Sequence, residues 1–165
     1  MVPVIVLLMI EQQMMGAFVL FVIAGITDGL DGFLAKRFGW TTELGAWLDP
    51  AADKALLVSI YVTLGLFGTI PPWLVILVVF RDLLIVGGIL LAWLMENPVR
   101  MKPLIISKIN TVGQILLAAV VLADLGFQLG LGNIVNMLIL IVAASTILSA
   151  LAYLHGWFKH MVPAQ

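Results

Sequence analysis

The chain has 165 residues, of which 63% are apolar and 10% charged, with a net charge of −1 and no cysteine. Soluble domains carry roughly 45–50% apolar and about 25% charged residues. This composition excludes a small soluble enzyme, a disordered chain, a disulfide scaffold and a basic nucleic-acid binder. What remains is a polytopic membrane protein, read as a single domain over residues 1–165.

A bilayer span needs about 20 mostly apolar helical residues. Val2–Ile10 is apolar but short; as a helix it would rise about 13 Å, under half of the hydrocarbon core. No basic region precedes it, so it reads as a truncated first helix rather than a signal peptide. Met14–Leu34, Leu44–Leu66, Trp73–Met95, Leu104–Leu125 and Ile134–Leu154 read as full spans. The fold class expected is therefore an all-α integral membrane protein, a six-helix transmembrane bundle with a short first helix. Gly and Pro punctuate the ends at Gly68, Pro71, Pro72, Pro98, Pro103, Gly130 and Gly132.

Lys36, Arg37, Arg100, Lys102 and Lys159 fall on one set of helix ends, and the opposite loops hold no Lys or Arg. The positive-inside rule assigns the cationic side to the cytoplasm. Trp40, Trp47, Trp93 and Trp157 lie near that face and Trp73 near the other, as interfacial belts do.

Of nine acids, Asp28, Asp31, Asp49 and Asp53 lie within 26 residues, at the cytoplasmic ends of the second and third helices. The i, i+3 and i, i+4 spacings put each pair on one helix face. The loop between is short, so the two helices should be antiparallel neighbours whose acidic faces meet. Four unpaired carboxylates in a membrane pocket repel and cost several kcal/mol each to desolvate. Two divalent cations would balance them. Oxygen-only ligands suit Mg²⁺ or Mn²⁺, the usual pair for displacement at phosphorus.

Asp28-x2-Asp31-Gly32-x2-Ala35-Lys36-x8-Gly45-x3-Asp49-x3-Asp53 resembles the signature of the CDP-alcohol phosphatidyltransferases, matching seven of eight fixed positions. Lys36 stands where that family has Arg; it keeps the charge but not the bidentate fork, and Arg37 follows directly. The resemblance implies that the four Asp hold the metals and that Asp53 is also the general base. It assigns Gly32, Ala35, Lys36, Arg37 and Thr42 to the CDP-diacylglycerol nucleotide. Thr42 also suits an N-cap of the third helix. The resemblance further implies a homodimer, with an alcohol attacking CDP-diacylglycerol and CMP leaving.

Outside the motif, Arg81 and Asp82 lie inside the fourth span, where charge is expensive and usually functional. Adjacent side chains point about 100° apart on a helix, so a bound anion is the counterion expected for Arg81, with a mutual or interhelical ion pair as the alternative. Ser107-Lys108-Ile109-Asn110-Thr111-x2-Gln114 resembles the S-K-x-N-T-x2-Q segment of the cardiolipin synthases of that superfamily more than the G-K-x-K-T-x2-Q of phosphatidylglycerophosphate synthases. Arg81 and Lys108 are thus the candidate contacts to an anionic acceptor. That acceptor reads as phosphatidylglycerol, with glycerol-3-phosphate as the alternative and a non-catalytic cation carrier as the alternative of another class. Lys54 reads as neutralising nearby acids, Gly87-Gly88 as a close helix contact and Asp124 as solvated.

Overall fold

The computed structural model describes the backbone of residues 1–38, 43–94 and 105–161, and the side chains of residues 1–30, 54–88 and 105–156. Among these residues the only regular secondary structure is α-helix, joined by short turns. Six helices follow in order: α1 Val2–Ile10, α2 Met14–Phe38, α3 Glu43–Leu66, α4 Pro72–Leu94, α5 Ile105–Phe127 and α6 Gly132–Met161. The expected spans agree with these to within a few residues, except that α6 runs seven residues past Leu154.

Sequence chemistry sets the turns. Gln12 ends the first turn in the left-handed region at φ 60°, and Gln13 N–H donates to the Leu8 carbonyl at 2.8 Å. Gly68, at φ 71°, lets the chain reverse after α3 so that Thr69 N–H reaches the Leu64 carbonyl at 3.0 Å. Pro72 then opens α4 at its first position, where a missing N–H costs nothing. After α5 the reversal uses Gln128 and Gly130, both at positive φ. Here Asp124 is half-buried, and its Oδ1 accepts from Leu131 N–H at 2.8 Å. This corrects the expectation of a solvated Asp124: a backbone donor freed by the turn holds it.

The short α1 packs against α2 and α3, with Ile5 and Met9 fully buried. α5 packs on α2, α3 and α6, while α4 lies on α3 and α6. Among the described residues α2 and α3 make no direct contact; α1 and α5 lie against both. The expected meeting of their acidic faces falls on side chains outside the described residues.

The outer surface of the bundle is apolar, and its largely apolar core encloses a few polar side chains. Leu30, Ile76, Leu83, Ile105 and Leu140 are exposed, whereas Arg81, Asn110, Gln114, Thr146 and Ser149 are buried. Water would favour the reverse; a hydrocarbon surround favours this. Among the described residues, Ile105–Phe127 and Gly132–Gly156 are long and apolar enough to cross a membrane.

The start of α2 and the end of α5 approach closely. A Cβ at Gly126 would lie 3.0 Å from the Met15 N and Cα. Backbone cannot yield as a side-chain tip can, so Gly126→Ala is expected to cost about 1–3 kcal/mol as overpacking. Thermal unfolding followed by circular dichroism in detergent reads this as a lowered midpoint; an unchanged midpoint would contradict the close approach. Gly87 and Gly88 show no such contact: a Cβ at either would meet no described atom within 4 Å. The expectation of close packing there is corrected.

Candidate active site

The four acids of the motif are carried by two helices. Asp28 and Asp31 lie in α2, with Gly32, Ala35, Lys36 and Arg37 following on its last turns; Gly45, Asp49 and Asp53 lie in α3. Asp28 is exposed at the end of the described part of α2. The side chains of the other motif residues, and the whole of Thr42, lie outside the described residues. α3 continues through Pro50, between the two acids it carries. Proline has no N–H, so the carbonyl four residues back, at Ala46, loses its helical partner beside the motif.

As a donor set, four carboxylates with no Cys in the chain and both His far along it, at positions 155 and 160, fit hard divalent cations. Among the described residues no group of three or more metal-ligating side chains gathers, three of the four motif side chains being outside them.

The first described residue beyond the motif, Lys54, opens a charged network. Lys54 Nζ donates to Asp82 Oδ1 at 2.7 Å across α3 and α4. The same oxygen accepts from Arg81 Nη1 at 2.6 Å. Asp82 is therefore the counterion of Arg81, which corrects the expectation that its direction made it a poor partner. Their Cβ directions do diverge, but the long arginine arm curls back and closes the gap. Among the described residues the acid paired with Lys54 is Asp82; the acids nearest to it in sequence lie outside them.

Arg81 is 2% exposed. Its Nη2 donates to Ser107 Oγ on α5 and to Ser149 Oγ on α6, both at 2.6 Å, and its Nε reaches Ser149 Oγ at 3.2 Å. The guanidinium also lies 5.8 Å from the Tyr153 ring centroid, within cation–π range. One arginine thus joins α4, α5 and α6. Among the described residues its neighbourhood holds two cations against one carboxylate.

α5 carries the remaining polar side chains inward. Asn110 is fully buried and its Oδ1 accepts from Ser145 Oγ at 2.7 Å and Thr146 Oγ1 at 2.9 Å. It faces α6, so a cation at this position would be buried between helices. Tyr61 on α3 donates through its hydroxyl to the Gln114 carbonyl at 3.1 Å. Asn110 Nδ2 and both side-chain polar atoms of Gln114 are buried without a partner among the described residues. Lys108, in contrast, is exposed.

Sequence reading had not singled out Ser145, Thr146, Ser149, Tyr61 and Tyr153. The signal was present in α6, where Ser145, Thr146 and Ser149 recur at helical spacing within an otherwise apolar helix.

A family model for CDP-alcohol phosphatidyltransferases matches residues 1–158. The chain is 35% identical over 169 residues to the chloroplastic CDP-diacylglycerol–glycerol-3-phosphate 3-phosphatidyltransferase 1 of Oryza sativa subsp. japonica, covering 92% of this chain and 51% of that protein. It is 33% identical over 171 residues to the cardiolipin synthase (CMP-forming) of Homo sapiens, covering 93% and 56% respectively. A shorter match, 43% over 67 residues, joins it to a probable phosphatidylglycerophosphate synthase of Mycobacterium tuberculosis, covering 41% and 32%. The chain spans about half the length of the first two relatives.

Proposed function

Because the chain belongs to the CDP-alcohol phosphatidyltransferase family, we propose that it is a multi-pass membrane enzyme that transfers the phosphatidyl group of CDP-diacylglycerol to an alcohol and releases CMP. The observation that carries this is the pairing of Asp28 and Asp31 on α2 with Asp49 and Asp53 on α3, at the motif's spacing.

Asp28, Asp31, Asp49 and Asp53 would hold two Mg²⁺ or Mn²⁺ ions, whose charge would neutralise the phosphates and the leaving oxygen. Gly32 and Ala35 leave room for the cytidine nucleotide, while Lys36, Arg37 and Thr42 meet its pyrophosphate. Asp53 takes the proton of the acceptor hydroxyl. The hydroxyl oxygen bonds to the phosphatidyl phosphorus as the bond to CMP breaks. The cationic loops face the cytoplasm and so does the site; the chain works as a homodimer.

The acceptor proposed is phosphatidylglycerol, giving cardiolipin. Lys108, exposed on α5, meets the acceptor's phosphate, and Arg81 contributes by fixing Ser107 beside it. Asn110 supplies no second cation, and one cation suits a phosphodiester better than a phosphate monoester. The relative from Oryza sativa, named for glycerol-3-phosphate, supports that acceptor as the second reading. The test is CMP release in detergent from CDP-diacylglycerol with each acceptor varied in turn. Lys108→Ala is expected to raise the acceptor's apparent KM much more than that of CDP-diacylglycerol, and phosphatidylglycerol to be turned over faster than glycerol-3-phosphate. A preference for glycerol-3-phosphate would move the assignment to the second reading; no CMP release with any acceptor would end the transferase reading.

A further inference from the structure

Lys54 follows Asp53 directly in α3, and Ser107 precedes Lys108 directly in α5. Between them runs an unbroken path of short contacts: Lys54 Nζ to Asp82 Oδ1 at 2.7 Å, Asp82 Oδ1 to Arg81 Nη1 at 2.6 Å, and Arg81 Nη2 to Ser107 Oγ at 2.6 Å. The path joins the proposed base position to the proposed acceptor cation through side chains that themselves need touch no substrate.

Its parts are built to be rigid. Arg81 is buried, and its donors are directed at groups on three sides: Asp82, Ser107 and Ser149, with Tyr153 facing the guanidinium plane. Asp82, with 11% of its side chain exposed, is gripped by two cations at one oxygen. In low-dielectric surroundings such charge-assisted bonds are short and strong. Lys54 is the adjustable end, with 36% of its side chain exposed. Successive residues of a helix point about 100° apart. Clamping Lys54 to α4 therefore fixes the rotation of α3 about its axis, and with it the direction in which position 53 faces.

We propose that Lys54, Asp82 and Arg81 form a positioning relay that sets the α3 helix carrying Asp53 in register with the α5 helix carrying Lys108. The three are positioning residues, and the proposal rests on the transferase reading for what is aligned: the acceptor hydroxyl against the phosphatidyl phosphorus. Misplacement of reacting groups by about 1 Å can cost about 10²-fold in rate.

The test has two arms on the full chain in detergent. In the first, Lys54→Met and Asp82→Asn are each expected to lower kcat for CMP release by about 10²-fold, with the KM of CDP-diacylglycerol and of phosphatidylglycerol little changed. The double variant falls no further than either single one, as members of one unit do, and Lys54→Arg, which keeps charge and reach, recovers most of the loss. In the second arm, Val62→Cys on α3 and Val112→Cys on α5 carry spin labels. Both positions are exposed, and the chain has no cysteine of its own to compete. The inter-label distance distribution is expected to be narrow in the parent and broader with Lys54→Met.

An unbroadened distribution would overturn the relay, as would broadening with kcat unchanged. Independent, multiplying losses in the double variant would overturn it too, and a raised acceptor KM at constant kcat would make these residues an acceptor pocket instead. Absence of CMP release by the parent would overturn the transferase reading alone, because the distance arm still decides whether Lys54 fixes α3 against α5.

Discussion

Asp28→Asn, Asp31→Asn and Asp49→Asn are each expected to lower CMP release by about 10²–10³-fold or more, the range for losing one group that stabilises developing charge. Asn has the size and shape of Asp but no charge. The substitution therefore removes a quarter of the negative charge that would hold two cations and leaves the helix otherwise intact. Asp28 is exposed, so no interior packing depends on it. The measurement is steady-state CMP release beside Mn²⁺ binding followed by electron paramagnetic resonance, with helical content as the check on folding. Activity and bound Mn²⁺ should fall together in each variant. A chelator should abolish turnover in the parent, and added Mg²⁺ or Mn²⁺ should restore it. Three variants that keep most of the parent's turnover would remove the two-metal assignment.

Asp53→Asn is expected to behave differently. If position 53 both holds metal and accepts the hydroxyl's proton, the amide still offers an oxygen but cannot take a proton at neutral pH. Binding of CDP-diacylglycerol should then be nearly normal while turnover falls by about 10²–10⁴-fold, the usual contribution of general-base catalysis. Binding is read by retention of the nucleotide lipid on the purified protein, and turnover by CMP release under saturating substrate. Loss of nucleotide binding in step with turnover would make Asp53 a metal ligand only. Lys54 sharpens the contrast: it follows Asp53 in sequence and pairs with Asp82, so Lys54→Met should slow turnover without touching metal binding.

The helices were legible because hydropathy and helix punctuation agreed: apolar runs of bilayer length were separated by Gly, Pro or charge. The motif was legible because its acids are fixed in sequence spacing and both pairs lie on helices. What could not be read was which helices touch. A short loop between α2 and α3 suggests direct packing, and that meeting falls on side chains outside the described residues; that α1 and α5 lie against both helices is encoded in no nearby residue pattern. The Arg81–Asp82 pair was misjudged for a related reason. Helical spacing fixes Cβ directions, whereas a long arginine ends several ångströms from its Cβ and turns toward the nearest fixed carboxylate. The burial of Asn110 against Ser145 and Thr146 depends on the facing of α6, which an apolar helix with few polar residues marks only weakly.

The pattern of contacts also bears on the order in which the molecule is made. Each odd-numbered helix meets its immediate successor, α1 with α2, α3 with α4 and α5 with α6, but the contacts that tie these hairpins together include α2 with α5, α3 with α5 and α4 with α6. A ribosome adds about 5–20 residues per second, so α2 waits on the order of several seconds before α5 emerges to receive it. During that interval both acidic pairs already exist in the nascent chain, with α1 but without α5, the other helix that lies against both α2 and α3. A chain ending after α4 would carry all four motif acids and none of the seams to α5, Gly126 against Met15 among them. Stalling or loss of the last two helices should therefore yield an intact motif with no assembled site, open to the quality-control proteases of the membrane.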